Sequence, residues 1–179
     1  IVSHLRSGAR FGCSFTYFVQ DEPLGIAHAL ALTRHFAAGD PVVVVLGDNI
    51  FFSPLRPQID AYFDEGCGAR VLLKRVEDPQ RFGVARFEGE RLVEVQEKPA
   101  DPPSNLAVTG IYFYDAAVYS ILPGLEPSGR GEYEIADVNN AYLAAGRMSW
   151  GELDGAWSDA GTHPSLARAQ RMVQAIEGG

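Results

Sequence analysis

The apolar residues of this chain fall in short runs whose spacing changes along its length. The densest is Val42-Val-Val-Val-Leu46, followed at once by Gly47, Asp48 and Asn49. A run with no polar break cannot alternate between a dry and a wet face, so it predicts a parallel strand buried on both sides. Residues 69–76 form a second apolar run, with Lys74 and Arg75 at its end. Residues 55–65 and 26–36 have helical spacing or composition, and the aromatic stretch 14–19 alternates loosely like a strand. From Asp78 the period becomes two. Residues 83–87 and 91–97 flank Glu88-Gly89-Glu90, a hairpin signal. Residues 108–114 and 147–153 read as strands, 116–122 and 133–145 as helices, and 155–161 as a glycine-flanked turn. Thr162 caps a last helix striped by Leu166, Ala169, Val173 and Ile176. Strands alternating with helices predict an α/β architecture with a mainly parallel sheet, and the hairpin adds a mixed edge or a small antiparallel insert. The length of 179 residues fits a single domain, 1–179.

Composition narrows the chemistry. A net charge of −8 without any basic run argues against a nucleic-acid partner, and an anionic ligand would need its cations gathered locally. No apolar run is long enough to span a bilayer. Cys13 and Cys67 are the only two cysteines and lie far apart. They read as free, buried thiols of a cytoplasmic protein rather than a disulfide or zinc framework. Residues 1–8 look like the last turns of an amphipathic helix stopped by Gly8, so the expectation is a chain truncated at its N-terminus and without a signal peptide.

Three loops hold the unusual polar residues. Asp48 follows a buried strand, where a carboxylate either caps the next turn or holds a hard cation. The loop 20–25 leads into a helix N-terminus, whose free N–H groups favour anions. Glu97 and Lys98 are neighbours in a strand, so they leave on opposite faces as a surface pair unless the chain bends at Pro99. Asp159 sits beside Trp157 in the turn, either entering a helix or serving as a second ligand. The four histidines lack metal-ligand spacing.

Together these stretches resemble the sugar-1-phosphate nucleotidylyltransferases, most closely the glucose-1-phosphate thymidylyltransferases. The matching segments are Tyr17-Phe-Val-Gln20 with Gly25-Ile-Ala-His-Ala29, Leu46-Gly-Asp-Asn-Ile-Phe51, Asp78-Pro-Gln-Arg-Phe-Gly-Val84 and Val95-Gln-Glu-Lys-Pro99. They continue through Ser104-Asn105, Val108-Thr-Gly-Ile-Tyr-Phe-Tyr-Asp115, Gly131-Glu-Tyr-Glu-Ile-Ala-Asp-Val-Asn139 and Trp157-Ser-Asp-Ala-Gly-Thr-His163, in family order. The resemblance implies a Rossmann-like nucleotidyltransferase fold (GT-A-like), with a mixed, mainly parallel sheet flanked by helices. It implies Mg²⁺ held by Asp48 and Asp159, and a nucleotide contacted by Gln20, Gly25 and Asp48. Gly83, Glu97 and Val108 would meet the hexose, and Lys98 and Arg130 its phosphate. Asp48, Lys98 and Asp159 would be the catalytic groups.

The implied reaction is in-line attack of a sugar 1-phosphate, glucose 1-phosphate by resemblance, on the α-phosphorus of dTTP or UTP, with pyrophosphate leaving. Alignment and charge neutralisation are then the protein's work. Family members assemble as homo-oligomers, tetramers by the same resemblance. The family's glycine-rich loop, with its catalytic arginine, lies on a first strand and helix that find no counterpart in this sequence. Phe82 and Ser158-Asp-Ala160 also depart from the commoner residues. A non-catalytic sugar-nucleotide-binding module is therefore the second reading. A haloacid-type phosphatase or a metal-dependent glycosyltransferase fits poorly, because Ile50 stands where either would need a second Asp.

Overall fold

The computed structural model describes residues 1–177. In chain order its elements are α1 (Val2–Leu5), α2 (Ile26–Ala31), α3 (Arg34–Ala37), β1 (Val42–Val45), β2 (Asn49–Phe51), α4 (Arg56–Glu65) and β3 (Ala69–Arg75). They continue with β4 (Gly83–Glu88), β5 (Arg91–Glu97), β6 (Leu106–Tyr114), α5 (Val118–Ile121), α6 (Ile135–Ala144), β7 (Met148–Glu152), β8 (Trp157–Asp159) and α7 (His163–Glu177).

The spine is β3 against β6. Their apolar residues are continuous, so the two-residue period of a strand supplies side chains to both faces at once. Val71, Leu73, Tyr112 and Tyr114 belong to one core layer, with Ile135, Val138 and Tyr142 of α6. Leu72, Ile111 and Phe113 belong to the other, with Tyr62 of α4 and Leu153. Fully burying a side chain such as Leu72 contributes about 1.5–3 kcal/mol before the entropy of ordering it.

β6 pairs antiparallel with β3 on one edge, while its other edge takes β4 near its start and β1 at its end. β7 joins β3 in parallel, and β5 forms the predicted hairpin with β4. By these pairings β1, β3, β4 and β7 run one way and β5 and β6 the other. The mixed, helix-flanked sheet is as expected. Because β6 intervenes between β1 and β3, however, β3–β7 is the only parallel pair of neighbours among the described residues. The outer edge of β5 is met by α6. Asn140 accepts from the Val95 N–H (2.8 Å) and donates to the Val95 carbonyl (2.9 Å), doing for that residue what another strand would.

Several expectations need correction. β1 is antiparallel to its neighbour and buried on one side only: Val42 and Val44 pack on the core, while Val43 and Val45 are 47% and 51% exposed. Stretch 14–19 is not a strand. Its backbone finds no ladder, and Phe18 and Val19 are exposed, because aromatic alternation makes a strand only when a neighbour pairs with it. The helix over 26–36 breaks at Leu32, where the Thr33 hydroxyl bonds the Leu30 carbonyl (2.7 Å) in competition with the helical ladder. The turn over 155–161 contains β8, paired with β2. Both cysteines are free, but Cys13 is exposed and Cys67 only partly buried. Thr162 does cap α7, exchanging side chain–backbone bonds with Ser165 (3.2 and 3.0 Å).

Candidate active site

The site is assembled where β1 ends. The Leu46 N–H donates to the Gly110 carbonyl (2.8 Å), and the chain then turns at Gly47 to present Asp48 beyond the strand's carboxyl end. β2 and β8 pair with Asn49 opposite Asp159, which sets the second carboxylate beside the first. The Ala160 N–H closes the junction on the Asp48 carbonyl (2.7 Å). A Cβ on Gly161 would lie 2.8 Å from Asp48 Oδ2 and 3.6 Å from Asp159 Oδ2, so both carboxylates face the same space over Gly161.

Asn49 fixes the orientation of Asp48. Its Oδ1 accepts from Trp157 Nε1 (2.7 Å) and the Gly110 N–H (3.0 Å), and this leaves Nδ2 to donate to Asp48 Oδ1 (2.8 Å). Arg81 engages the other carboxylate. Its Nη2 donates to Asp159 Oδ2 (2.8 Å) and Oδ1 (3.1 Å), and its Nη1 to Asp78 Oδ2 (2.8 Å). The Asp78 hydrogen bond is the largest influence holding its pKa above the usual arginine value.

A cleft of about 200 Å³ brings Asp48, Gly83, Glu97, Lys98, Val108 and Asp159 together, with Arg81 and Tyr112 in its wall. Gly83 lies opposite Glu97 in the β4–β5 ladder, and a Cβ there would sit 3.4 Å from Glu97 Oε2 and 3.8 Å from Val108. Glu97 and Lys98 reach the same cleft because β5 ends at Glu97 and Lys98 adopts φ +43°, turning its side chain back. A long side chain in that region is strained, and here the strain delivers an ammonium group 4.0 Å from Glu97. Burial pushes the Glu97 carboxyl up, with Glu134 adding to the effect and Lys98 and Arg130 opposing it. Burial, aided by Glu97 and Asp48, also raises the Tyr112 phenol, which stays a neutral O–H donor at neutral pH.

Arg130 stands at the margin. Its guanidinium is 2.9 Å from Glu134, 3.3 Å from Glu132 and 3.7 Å from Glu97, so it meets the cleft through Glu97 rather than lining it. Gln20 and Gly25 line a separate apolar cavity of about 630 Å³ along β1, which shares Ile26 and Leu46 with the first. Gln20 Nε2 donates to the Gly25 carbonyl (3.1 Å) and bonds His28 Nδ1 (2.9 Å). Gly25 has φ +95°, and a Cβ would strike the Tyr133 carbonyl oxygen at 2.5 Å, so the fold itself demands glycine there. The N-terminus of α2 is less open to anions than expected, since the Ala27 N–H donates to that same Tyr133 carbonyl (3.3 Å).

The donor set suits a hard divalent cation that completes its shell elsewhere. Among the described residues no group of three or more His, Cys, Asp or Glu side chains forms a closed cage, and two converging carboxylates are the share Mg²⁺ usually takes from protein when phosphates and water supply the rest. The sequence assigns no site role to Asn49 or Arg81 and reads Tyr112 as core, where it does pack while also walling the cleft. Their segments stood out, but their partners lie too far along the chain for spacing to reveal.

A family model described as nucleotidyl transferase matches residues 1–175. The chain is 42% identical over 177 residues to the glucose-1-phosphate thymidylyltransferase of Neisseria meningitidis, covering 97% of this chain and 62% of that protein. It is 40% identical over 176 residues to that of Mycobacterium tuberculosis, covering 97% and 61%. It thus spans little more than three-fifths of the length of these relatives. A Bacillus anthracis structure assigned as a glucose-1-phosphate thymidylyltransferase superimposes with a TM-score of 0.90 at 51% identity, over 96% of this chain and 70% of that one. A UDP-glucose pyrophosphorylase complexed with UDP-glucose superimposes at 0.85 with 25% identity, over 98% and 72%. With the family model matching residues 1–175 and these folds coinciding with its own, the chain belongs to the nucleotidyl transferase family.

Proposed function

We propose that the full-length protein transfers a nucleotidyl group from a nucleoside triphosphate, dTTP by resemblance, to glucose 1-phosphate, releasing pyrophosphate. The observation that carries this reading is the pair of Asp48 and Asp159 carboxylates converging over Gly161 in a cleft that shares Ile26 and Leu46 with a second, larger cavity. Two adjoining cavities with paired carboxylates at the end of β1 suit two anionic substrates brought to one metal.

In this reading Gln20 and Gly25 take the base in the larger cavity. Glu97 accepts from sugar hydroxyls, while Lys98 and Arg130 hold the sugar phosphate. A phosphate oxygen of the sugar forms the new bond to the α-phosphorus as the bond to the leaving pyrophosphate oxygen breaks. The cleft aligns the two and neutralises charge, and no covalent step on the protein is required. Mg²⁺, held by Asp48 and Asp159, would supply Lewis-acid neutralisation of the α-phosphate when bound. Homo-oligomeric assembly in the cytoplasm belongs to the same reading on resemblance alone.

The test is pyrophosphate release from dTTP, glucose 1-phosphate and Mg²⁺ by the full-length protein. Asp48→Asn should lower turnover by at least about a hundredfold with its unfolding midpoint unchanged. Turnover retained in that variant would overturn the role of the carboxylate pair.

A further inference from the structure

Arg81 is anchored at both ends of its guanidinium. The short 3₁₀ turn Pro79–Arg81 carries it, Asp78 holds Nη1, and the Phe82 ring lies with its centroid 5.1 Å from the guanidinium carbon. The single nitrogen Nη2 touches both oxygens of Asp159, sitting across the mouth of that carboxylate. Asp159 Oδ2 is also the oxygen turned toward Asp48 over Gly161. Asp48, by contrast, makes no ion pair among the described residues. The pair therefore carries one carboxylate met only by the neutral Asn49 amide and one whose charge is already met by a resident cation.

We propose that Arg81 is the positioning residue of this carboxylate pair: it engages Asp159 and sets how tightly a divalent ion can enter. This rests on the reading of Asp48 and Asp159 as the cation-holding pair. A cation taking Asp159 Oδ2 competes with the guanidinium for the same oxygen and feels its like charge, and at such separations that repulsion is not negligible even near water. Asp78 shares the guanidinium: it holds Nη1 at 2.8 Å without lining the cleft, so it offsets part of the positive charge that otherwise bears on Asp159.

The two partners of Arg81 then have opposite effects. Removing the guanidinium frees Asp159, and cation binding tightens. Removing the Asp78 charge leaves the guanidinium to bear on Asp159 alone, and binding weakens. A residue that merely braces the loop would weaken binding from both positions. This opposition of sign distinguishes positioning from scaffolding.

The experiment is titration of the full-length protein with Mn²⁺, following free Mn²⁺ by electron paramagnetic resonance without nucleotide or turnover. Arg81→Gln should bind Mn²⁺ roughly tenfold more tightly than the wild type, a change of the size that neighbours of metal ligands produce. Asp78→Asn should bind several-fold more weakly, and Arg81→Lys, which keeps the charge but loses the two-pronged fork, should fall between the wild type and Arg81→Gln. Weaker or unchanged binding in Arg81→Gln, with Asp48→Asn abolishing it, overturns the role of Arg81 and leaves the carboxylate pair standing. Binding unaffected by Asp48→Asn, or absent from both wild type and Arg81→Gln, overturns the pair itself and Arg81 with it.

Discussion

The amide of Asn49 occupies the space that a side chain on Gly110 would need: a Cβ there would fall 2.5 Å from its Cγ and Nδ2, while the Gly110 N–H donates to its Oδ1 at 3.0 Å. Gly110 has no special backbone angle, so its requirement is one of space in the middle of β6. Gly110→Ala should therefore push Asn49 off the strand, costing about 1–3 kcal/mol in urea unfolding. It should also release Asp48 from its Nδ2 donor and, on the proposed function, lower turnover of the full-length protein more than the lost stability explains. Stability and activity both at wild-type level would show that Asn49 does not need this seat.

The backbone of Lys98 makes a separate prediction. At φ +43° any residue with a Cβ is strained, whereas glycine is not. Lys98→Gly should therefore be more stable than Lys98→Ala by about 1 kcal/mol, although both lose the ammonium group. Equal unfolding midpoints would mean that Lys98 is not held in the left-handed region.

Parts of the candidate site and parts of the sheet are legible in the sequence. Leu46-Gly-Asp48 marked the end of a strand because its hydrophobic run stops abruptly, and the hairpin over 83–97 was visible in its period and its Gly89 turn. The direction of β1 was not legible. A run of valines states how dry a strand is, not which neighbour it pairs with, and β6 reaches β1 from more than sixty residues away. The pairing of β2 with β8 was hidden likewise, since each is only three residues long, too short for any period. Sequence could suggest that Glu97 and Lys98 share a cleft only if the chain bends at Pro99. The structure supplies that bend at Lys98 itself.

Glu97 gives the protein a pH dependence of definite sign. Its folded-state pKa lies above the ordinary glutamate value, chiefly through burial, so the folded protein holds that proton more tightly than the unfolded chain does. The contribution is fully present below the unfolded pKa and is lost as pH rises through the raised one. Glu97→Gln stays neutral throughout. Its stability relative to the wild type should be nearly flat near about pH 4 and should move in the variant's favour toward about pH 7. Denaturant unfolding of both proteins across that range checks this, and a difference that grows toward low pH would show the opposite shift.

Asn140 offers the last and most local test. Its side chain satisfies both backbone polar groups of Val95 on the outer edge of β5, at 2.8 and 2.9 Å, and no strand among the described residues flanks that edge. Val95 is itself buried, so water reaches those groups poorly. Asn140→Ala would strand a donor and an acceptor together, at a cost of about 2–4 kcal/mol. Asn140→Asp keeps the acceptor for the Val95 N–H but sets a carboxylate against the Val95 carbonyl, so it should be no better than alanine above the carboxylate pKa and should recover in acid. Because β5 ends in Glu97, the damage should reach the cleft as well: amide exchange should quicken along β5 from Val95 to Glu97, and, on the proposed function, the affinity for glucose 1-phosphate should fall. Fast exchange confined to α6, with β5 as protected as in the wild type, would show that the β4 ladder alone holds the strand.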